Sequence, residues 1–262
     1  MISIPPSHPR AESLIIRERI IEYCKKNVVA FAGLIAHGRG EAFDYLIGEK
    51  TIPPAEVAIT ASAASLLLAE HAVISVNGNT AALIPDKMVE LANVANILME
   101  VNLFYRSSTR EVAIKKVLEE NGAKNILGTT KSASETLKGL ESERRKVDTR
   151  GIGKADLVIV PLEDGDRTEA LIKLGKKVIA IDLNPLSRTA RVATISIIDN
   201  VIRVFPVLIK EIQRLKNESK DKLKKILAKY DNKEILNKSL MYITQRLNVL
   251  SKKGISLDPD KF

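Results

Sequence analysis

Tryptophan is absent from this sequence, cysteine occurs once and histidine three times. A single cysteine, Cys24, excludes an internal disulfide and fits a reducing cytoplasm. It falls late in an amphipathic stretch, where a thiol reads as packing rather than as a nucleophile. With only His8, His37 and His71 and no CxxC pair, a zinc site has no ligand set. Five tyrosines and five phenylalanines leave little surface on which nucleic-acid bases could stack. No apolar run reaches about 18 residues without a charge, so no segment is expected to span a membrane. The opening MISIPPSHPR lacks the basic-then-apolar layout of a signal peptide. The expectation is a cytoplasmic protein that binds neither membrane nor nucleic acid.

What is present is ordinary for a soluble globular chain: 262 residues, 45% hydrophobic and 28% charged. That length can bury a large core. The net charge of +9 is unevenly placed. From Arg203 to Phe262 there are 15 basic and 7 acidic residues, whereas the rest is nearly balanced, with 26 basic against 25 acidic. A lysine-rich tail is the one feature that would favour a nucleic-acid partner, and the scarcity of aromatics argues against it.

The most informative stretch is Lys177 to Asn200. The β-branched run Val178–Ile181 has the form of a buried parallel strand and feeds directly into Asp182, Leu183, Asn184, Pro185, Leu186, Ser187, Arg188 and Thr189. A second run, Ile195–Ile198, delivers Asp199 and Asn200 the same way. Two such strands would place both polar clusters at the carboxyl edge of one sheet, where open α/β folds bind ligands, although these residues also serve as plain turns. Further strands are expected at 72–76, 100–105, 125–128 and 155–160, alternating with helices at 9–26, 53–68, 85–99, 109–121 and 201–250. That alternation predicts an α/β fold with a parallel sheet. Residues 1–202 form its catalytic domain and 203–262 a helical C-terminal segment. Residues 4–10 are too proline-rich for either element and read as an extended arm.

Other positions carry possible chemistry. Arg10 and Arg17 sit two turns apart on one helical face and could address a common anion, or simply be solvated. Arg39 lies between Gly38 and Gly40, with His37 beside it; glycines permit a close backbone approach to a ligand, so this triplet reads as an anion contact or as a turn between helices. Asn77-Gly78 after a strand signals a hairpin, but the helix expected from Pro85 makes it a strand–loop–helix junction instead. Residues 131–154, glycine-dotted and charged, read as a surface loop or lid. Glu163, Asp164 and Asp166 could hold magnesium or cap the following helix.

Taken together, the runs SHPRAESLIIRERI, GLIAHGRGEAFDYLIGE, VISVNGNTAALIP, EVNLFYR, ADLVIVPLEDGDRTEAL and VIAIDLNPLSRTA with TISIIDN resemble archaeal phosphopantothenate synthetase across about residues 3–205. The resemblance implies a Rossmann-like core, a homodimer, and an ATP-dependent ligase of coenzyme A biosynthesis. Such an enzyme joins 4-phosphopantoate to β-alanine and releases AMP and pyrophosphate, with Mg2+ accompanying ATP. A related ligase taking unphosphorylated pantoate is the alternative. Carried onto this sequence, the family's nucleotide contacts fall on Arg17, Arg39, Asp182, Leu183, Asn184, Arg188, Thr189, Asp199 and Asn200. Arg39, His37 and Arg188 are the catalytic candidates. Arg10, Asn77, Gly78 and Asn79 are candidates for the acid substrate, and no cofactor metal site is assigned.

Overall fold

A computed structural model describes residues 10–129 and 134–253, together with 5, 7 and 8. Residues 4, 6 and 9 of the expected arm, residues 131–133 of the expected lid and the last nine residues lie outside that range. In chain order the strands are β1 (Ala72–Val76), β2 (Leu98–Val101), β3 (Ile126–Leu127), β4 (Ser134–Thr136), β5 (Lys146–Asp148), β6 (Leu157–Pro161), β7 (Lys177–Ile181) and β8 (Ile195–Ile197). All but β4 and β5 form one parallel sheet in the order β3-β2-β1-β6-β7-β8. That is the doubly wound order of a Rossmann-like fold, as the alternation of strand and helix patterns predicts.

The central strands read as unbroken apolar runs because both faces are covered. Successive residues go to opposite sides: Ile74, Ile159 and Ile179 join the larger apolar cluster, whereas Val73, Val158 and Val178 join the smaller. Helices flank the sheet: α1 (Ala11–Lys25), α2 (Phe31–Ile47), α3 (Pro53–Leu68), α4 (Gly78–Leu83), α5 (Pro85–Ala95), α6 (Ser108–Glu120), α7 (Gly165–Lys173), α8 (Arg188–Val192), α9 (Val201–Leu215), α10 (Lys220–Ala228) and α11 (Asn232–Lys253). Their starts follow local chemistry. Pro53 and Pro85 occupy first-turn positions, while Ser107, Ser187, Asn200 and Ser219 each accept a backbone N–H at the cap. The C-terminal helices continue the main core. Leu208, Ile212, Leu223 and Ile235 belong to the larger cluster, and α9, α10 and α11 all pack on α3.

Three expectations shift. The Gly-Arg-Gly triplet is not a turn but lies inside α2. Two glycines cost a helix about 2 kcal/mol. Here that cost is offset by anchors along the helix: Glu41 to Arg10 and Arg17, Asp44 to Arg203, and the buried Ile47. The strand expected at 100–105 is instead β2, because Asn96 takes a left-handed conformation (φ 52°) and ends α5 early. Residues 134–154 are not a bare loop. They contain the antiparallel β4–β5 pair, and Leu137, Leu140, Val147 and Ile152 are buried beneath it.

Candidate functional site

The direction of strand addition reverses between β1 and β6, so a crevice opens at their carboxyl ends. The residues that follow those strands meet there. Asn77 caps α4 through a reciprocal box with Thr80, and its Nδ2 donates to the carbonyls of Pro161 (2.8 Å) and Leu162 (3.3 Å). Leu162 holds a left-handed backbone at φ 52°, which costs a branched residue about 1–2 kcal/mol. It is one of the residues lining a cavity of about 520 Å³, a size suited to small ligands.

Helix α2 is laid across this cavity like a bar. Near its start Asn79 Nδ2 donates to the Gly33 carbonyl (2.8 Å), and a Cβ on Gly33 would lie 2.3 Å from Asn79 Oδ1. Midway come His37 and Arg39; Gly40 then faces Leu183, with Leu183 Cδ1 3.6 Å from where its Cβ would be. Near the end, Asp44 accepts from Asn200 Nδ2 (2.8 Å) and Arg203 Nη2 (2.5 Å). From Gly33 to Asp44 the helix covers roughly 16 Å. It therefore connects the loop after β1 with the loops after β7 and β8.

Of the residues singled out in the sequence, His37, Arg39, Asn77, Gly78, Asn79, Leu183 and Asn200 line the cavity. Arg39 makes no hydrogen bond or ion pair among the described residues, yet its charge is felt by Asp182. Burial pushes the His37 imidazole below its ordinary pKa, outweighing the opposing pull of Glu41.

The other candidates stand behind the lining. Asp182 accepts from the Ser187 hydroxyl (2.5 Å) and the Asn184 N–H (3.0 Å), and Asn184 accepts from the Leu186 N–H (2.9 Å), so this acid and amide shape their own loop. Thr189 donates to the Glu163 carbonyl (2.7 Å). Asp199 accepts from Thr51 (2.6 Å) and Arg203 (2.6 Å). Burial raises the pKa of both Asp182 and Asp199, against the neighbouring donors and the Arg203 charge. Arg10 and Arg17 do address one anion: it is Glu41 (3.3 and 3.1 Å). Arg188 is exposed, pairs with Asp166 and Glu169, and borders a smaller hollow of about 320 Å³ that adjoins the first at Phe104 and Asp164.

The sequence reading missed the buried charge network underneath. Arg167 is fully buried and donates to Ser75 (2.7 Å) and Glu163 (2.5 Å). Glu163 also accepts from Arg144 (2.6 Å), which pairs with Asp164 (2.9 Å) at the cavity wall. Arg144 was hidden in a charge run that looked solvated. Arg203 carried a legible signal, standing one helical turn after Asp199. Asp44 carried none. The three carboxylates at 163, 164 and 166 are thus engaged by Arg144, Arg167 and Arg188, and no group of three metal-ligating side chains occurs among the described residues. The arrangement is a cleft at a sheet edge with guanidinium groups at its wall and little solvent at its floor, suited to holding anions.

Comparison with known proteins agrees with that chemistry. A family model described as phosphopantothenate/pantothenate synthetase matches residues 54–246. The chain is 53% identical over 97% of its length to a protein of Thermococcus kodakarensis, of which the match covers 97%. It is 49% identical to one of Methanosarcina mazei (96% of this chain, 98% of that one) and 46% identical to one of Methanospirillum hungatei (94% and 99%). Each of the three is named 4-phosphopantoate–beta-alanine ligase.

Proposed function

The chain belongs to the phosphopantothenate/pantothenate synthetase family, and from that premise we propose that the cavity under α2 is where ATP activates 4-phosphopantoate for capture by β-alanine. The protein is a ligase of coenzyme A biosynthesis, and its product is 4′-phosphopantothenate. A carboxylate is a poor electrophile at neutral pH. In this reading its oxygen attacks the α-phosphorus of ATP, the bond to the bridging oxygen breaks, and pyrophosphate leaves. The amine of β-alanine then attacks the mixed anhydride, loses a proton and expels AMP. No covalent enzyme nucleophile is required, and the work left to the protein is positioning and neutralising phosphate charge.

The observation that carries this reading is Arg39, a guanidinium without a partner among the described residues, on the helix that bridges the cavity. Arginine forks onto phosphate and stays charged. We place the nucleotide along the C-terminal half of α2, against Leu183 and Asn200, with Asp182, Asn184, Thr189 and Asp199 holding those two loops in shape. Arg17 reaches the nucleotide from the Glu41 cluster. Arg188 reaches it by leaving exposed pairs that solvent screens. His37, kept neutral by burial, is the group proposed to accept the amine proton. Magnesium enters as part of the nucleotide substrate, held by ATP's own oxygens. The unit in solution is proposed to be a homodimer joined through the face of α1 and α2 that presents Ile15, Phe31 and Ile35. These are 54%, 83% and 73% exposed, more than a solvated helix face normally shows for such residues.

The direct test incubates the protein with ATP, 4-phosphopantoate and β-alanine and follows 4′-phosphopantothenate, omitting each component in turn. Formation only with all three is expected. Equal turnover of unphosphorylated pantoate would move the protein to the alternative ligase class.

A further inference from the structure

The ligase reading fills the main cavity with ATP and acid but leaves the amine donor without a place. Beside that cavity lies the smaller hollow of about 320 Å³, and the two share Phe104 and Asp164 in their walls. The hollow is charged in both signs: Arg167, Lys173 and Arg188 stand against Glu141, Asp164, Asp166 and Glu169. Pyrophosphate or a second nucleotide would meet four carboxylates there. A small molecule with one charge of each sign finds a partner for both.

Two of these side chains have unused capacity. Arg167 is wholly buried and lines the hollow; its Nη1 donates to Ser75 and Glu163, whereas Nε and Nη2 have no acceptor among the described residues. Buried donors left unmade are costly, and a carboxylate set against this guanidinium would satisfy both. Asp164, with its side chain half exposed, meets Arg144 through Oδ2 (2.9 Å), and its Oδ1 accepts no hydrogen bond among the described residues. The pair stands three residues apart across the start of α7. Side chains so spaced on a helix lie about 5–6 Å apart at Cβ, a span that a two-methylene amino acid bridges.

We propose that this hollow is the β-alanine subsite, with Arg167 receiving the carboxylate and Asp164 holding the amino end at the border of the main cavity. This rests on the ligase reading above. The amine donor then enters without crossing the bound nucleotide and acid, and its nitrogen arrives on the side where the activated carboxyl must be attacked. Arg188 stays with the nucleotide. Its departure leaves Asp166 without an ion-pair partner among the described residues, which makes the hollow more attractive to an ammonium group.

The test separates the two half-reactions. Exchange of labelled pyrophosphate into ATP with 4-phosphopantoate alone reports the main cavity, and the KM for β-alanine in the full reaction reports the hollow. Asp164→Asn removes the charge at the border, whereas Ser142→Phe fills the hollow and leaves every charge in place. Both should raise the KM for β-alanine roughly ten- to a hundredfold, while the exchange rate and the KM for ATP stay within about twofold. Wild type should prefer β-alanine to its amide, which lacks the carboxylate, and that preference should narrow in Arg167→Lys. Should Arg167→Lys fail to fold, the other two variants decide. An unchanged KM for β-alanine in both would overturn the proposal. An equal loss of exchange would overturn it too, by assigning the hollow to the nucleotide site or the scaffold. A wild type that gives neither exchange nor 4′-phosphopantothenate would instead overturn the underlying ligase reading.

Discussion

Arg39 shows how little a residue's type says without its surroundings. Its two glycine neighbours drew attention to it, yet they form no phosphate loop. What distinguishes it is a charge on the cavity wall with no partner among the described residues. Arg39→Ala should therefore lower kcat/KM roughly ten- to a hundredfold, with part recovered in Arg39→Lys, while the Tm without ATP moves little. Steady-state kinetics beside melting curves check this, and a large loss of apo stability would assign Arg39 to the scaffold. Glu100 is the opposite case. It is wholly buried at the end of β2, accepts from the N–H groups of Asp148 (3.0 Å) and Ile152 (2.7 Å), and burial pushes its carboxyl up to about 7. Its folded pKa is above the unfolded one, so its contribution is full below about pH 4.5 and is lost as pH rises through 7, by roughly 3 kcal/mol at most. Denaturant unfolding of wild type and Glu100→Gln should show the wild-type advantage shrinking between about pH 5 and about pH 8. An advantage that does not change with pH would contradict the raised pKa. Neither residue's environment was legible in sequence, because partner geometry is set by segments far away in the chain.

At the scale of elements, α2 ties the site together, and its two kinds of glycine separate packing from propensity. Gly33 meets Asn79 and Val29 so closely that Gly33→Ala must displace one of them, whereas nothing lies within 4 Å of a Cβ at Gly38. Gly33→Ala should destabilise by about 1–3 kcal/mol and weaken catalysis, while Gly38→Ala should be neutral or stabilise by up to about 1 kcal/mol. Thermal unfolding of the pair checks this, and equal effects would deny α2 its close seat on α4. The sheet strands were legible because β-branched runs such as Val178–Ile181 and Ile195–Ile197 have few other uses. The β4–β5 pair was not. Its strands are short, and its charged residues look solvated until Glu163 and Asp164 arrive to meet Arg144.

For the whole molecule, the strand order places the cavity at the one position where α/β sheets open, and the sequence reached it only in part. It pointed to the loops after β7 and β8, whose polar residues are dense. The crevice itself is centred on β1 and β6, where a single asparagine, Asn77, holds both strand ends. Assembly adds a further expectation. Phe31→Asp with Ile35→Asp should convert a dimer to monomers in light-scattering measurements, and an unaltered mass would remove that face from the interface. Adenylyl transfer to a carboxylate, the chemistry proposed for the cavity, leaves a diagnostic set of nucleotide products. Nucleotide products should be separated and counted during turnover of ATP, 4-phosphopantoate and β-alanine. AMP and pyrophosphate should each equal the 4′-phosphopantothenate formed, and labelled pyrophosphate should enter ATP when 4-phosphopantoate is present without β-alanine. ADP and inorganic phosphate in place of AMP and pyrophosphate would rule out adenylyl transfer and point to an acyl-phosphate route.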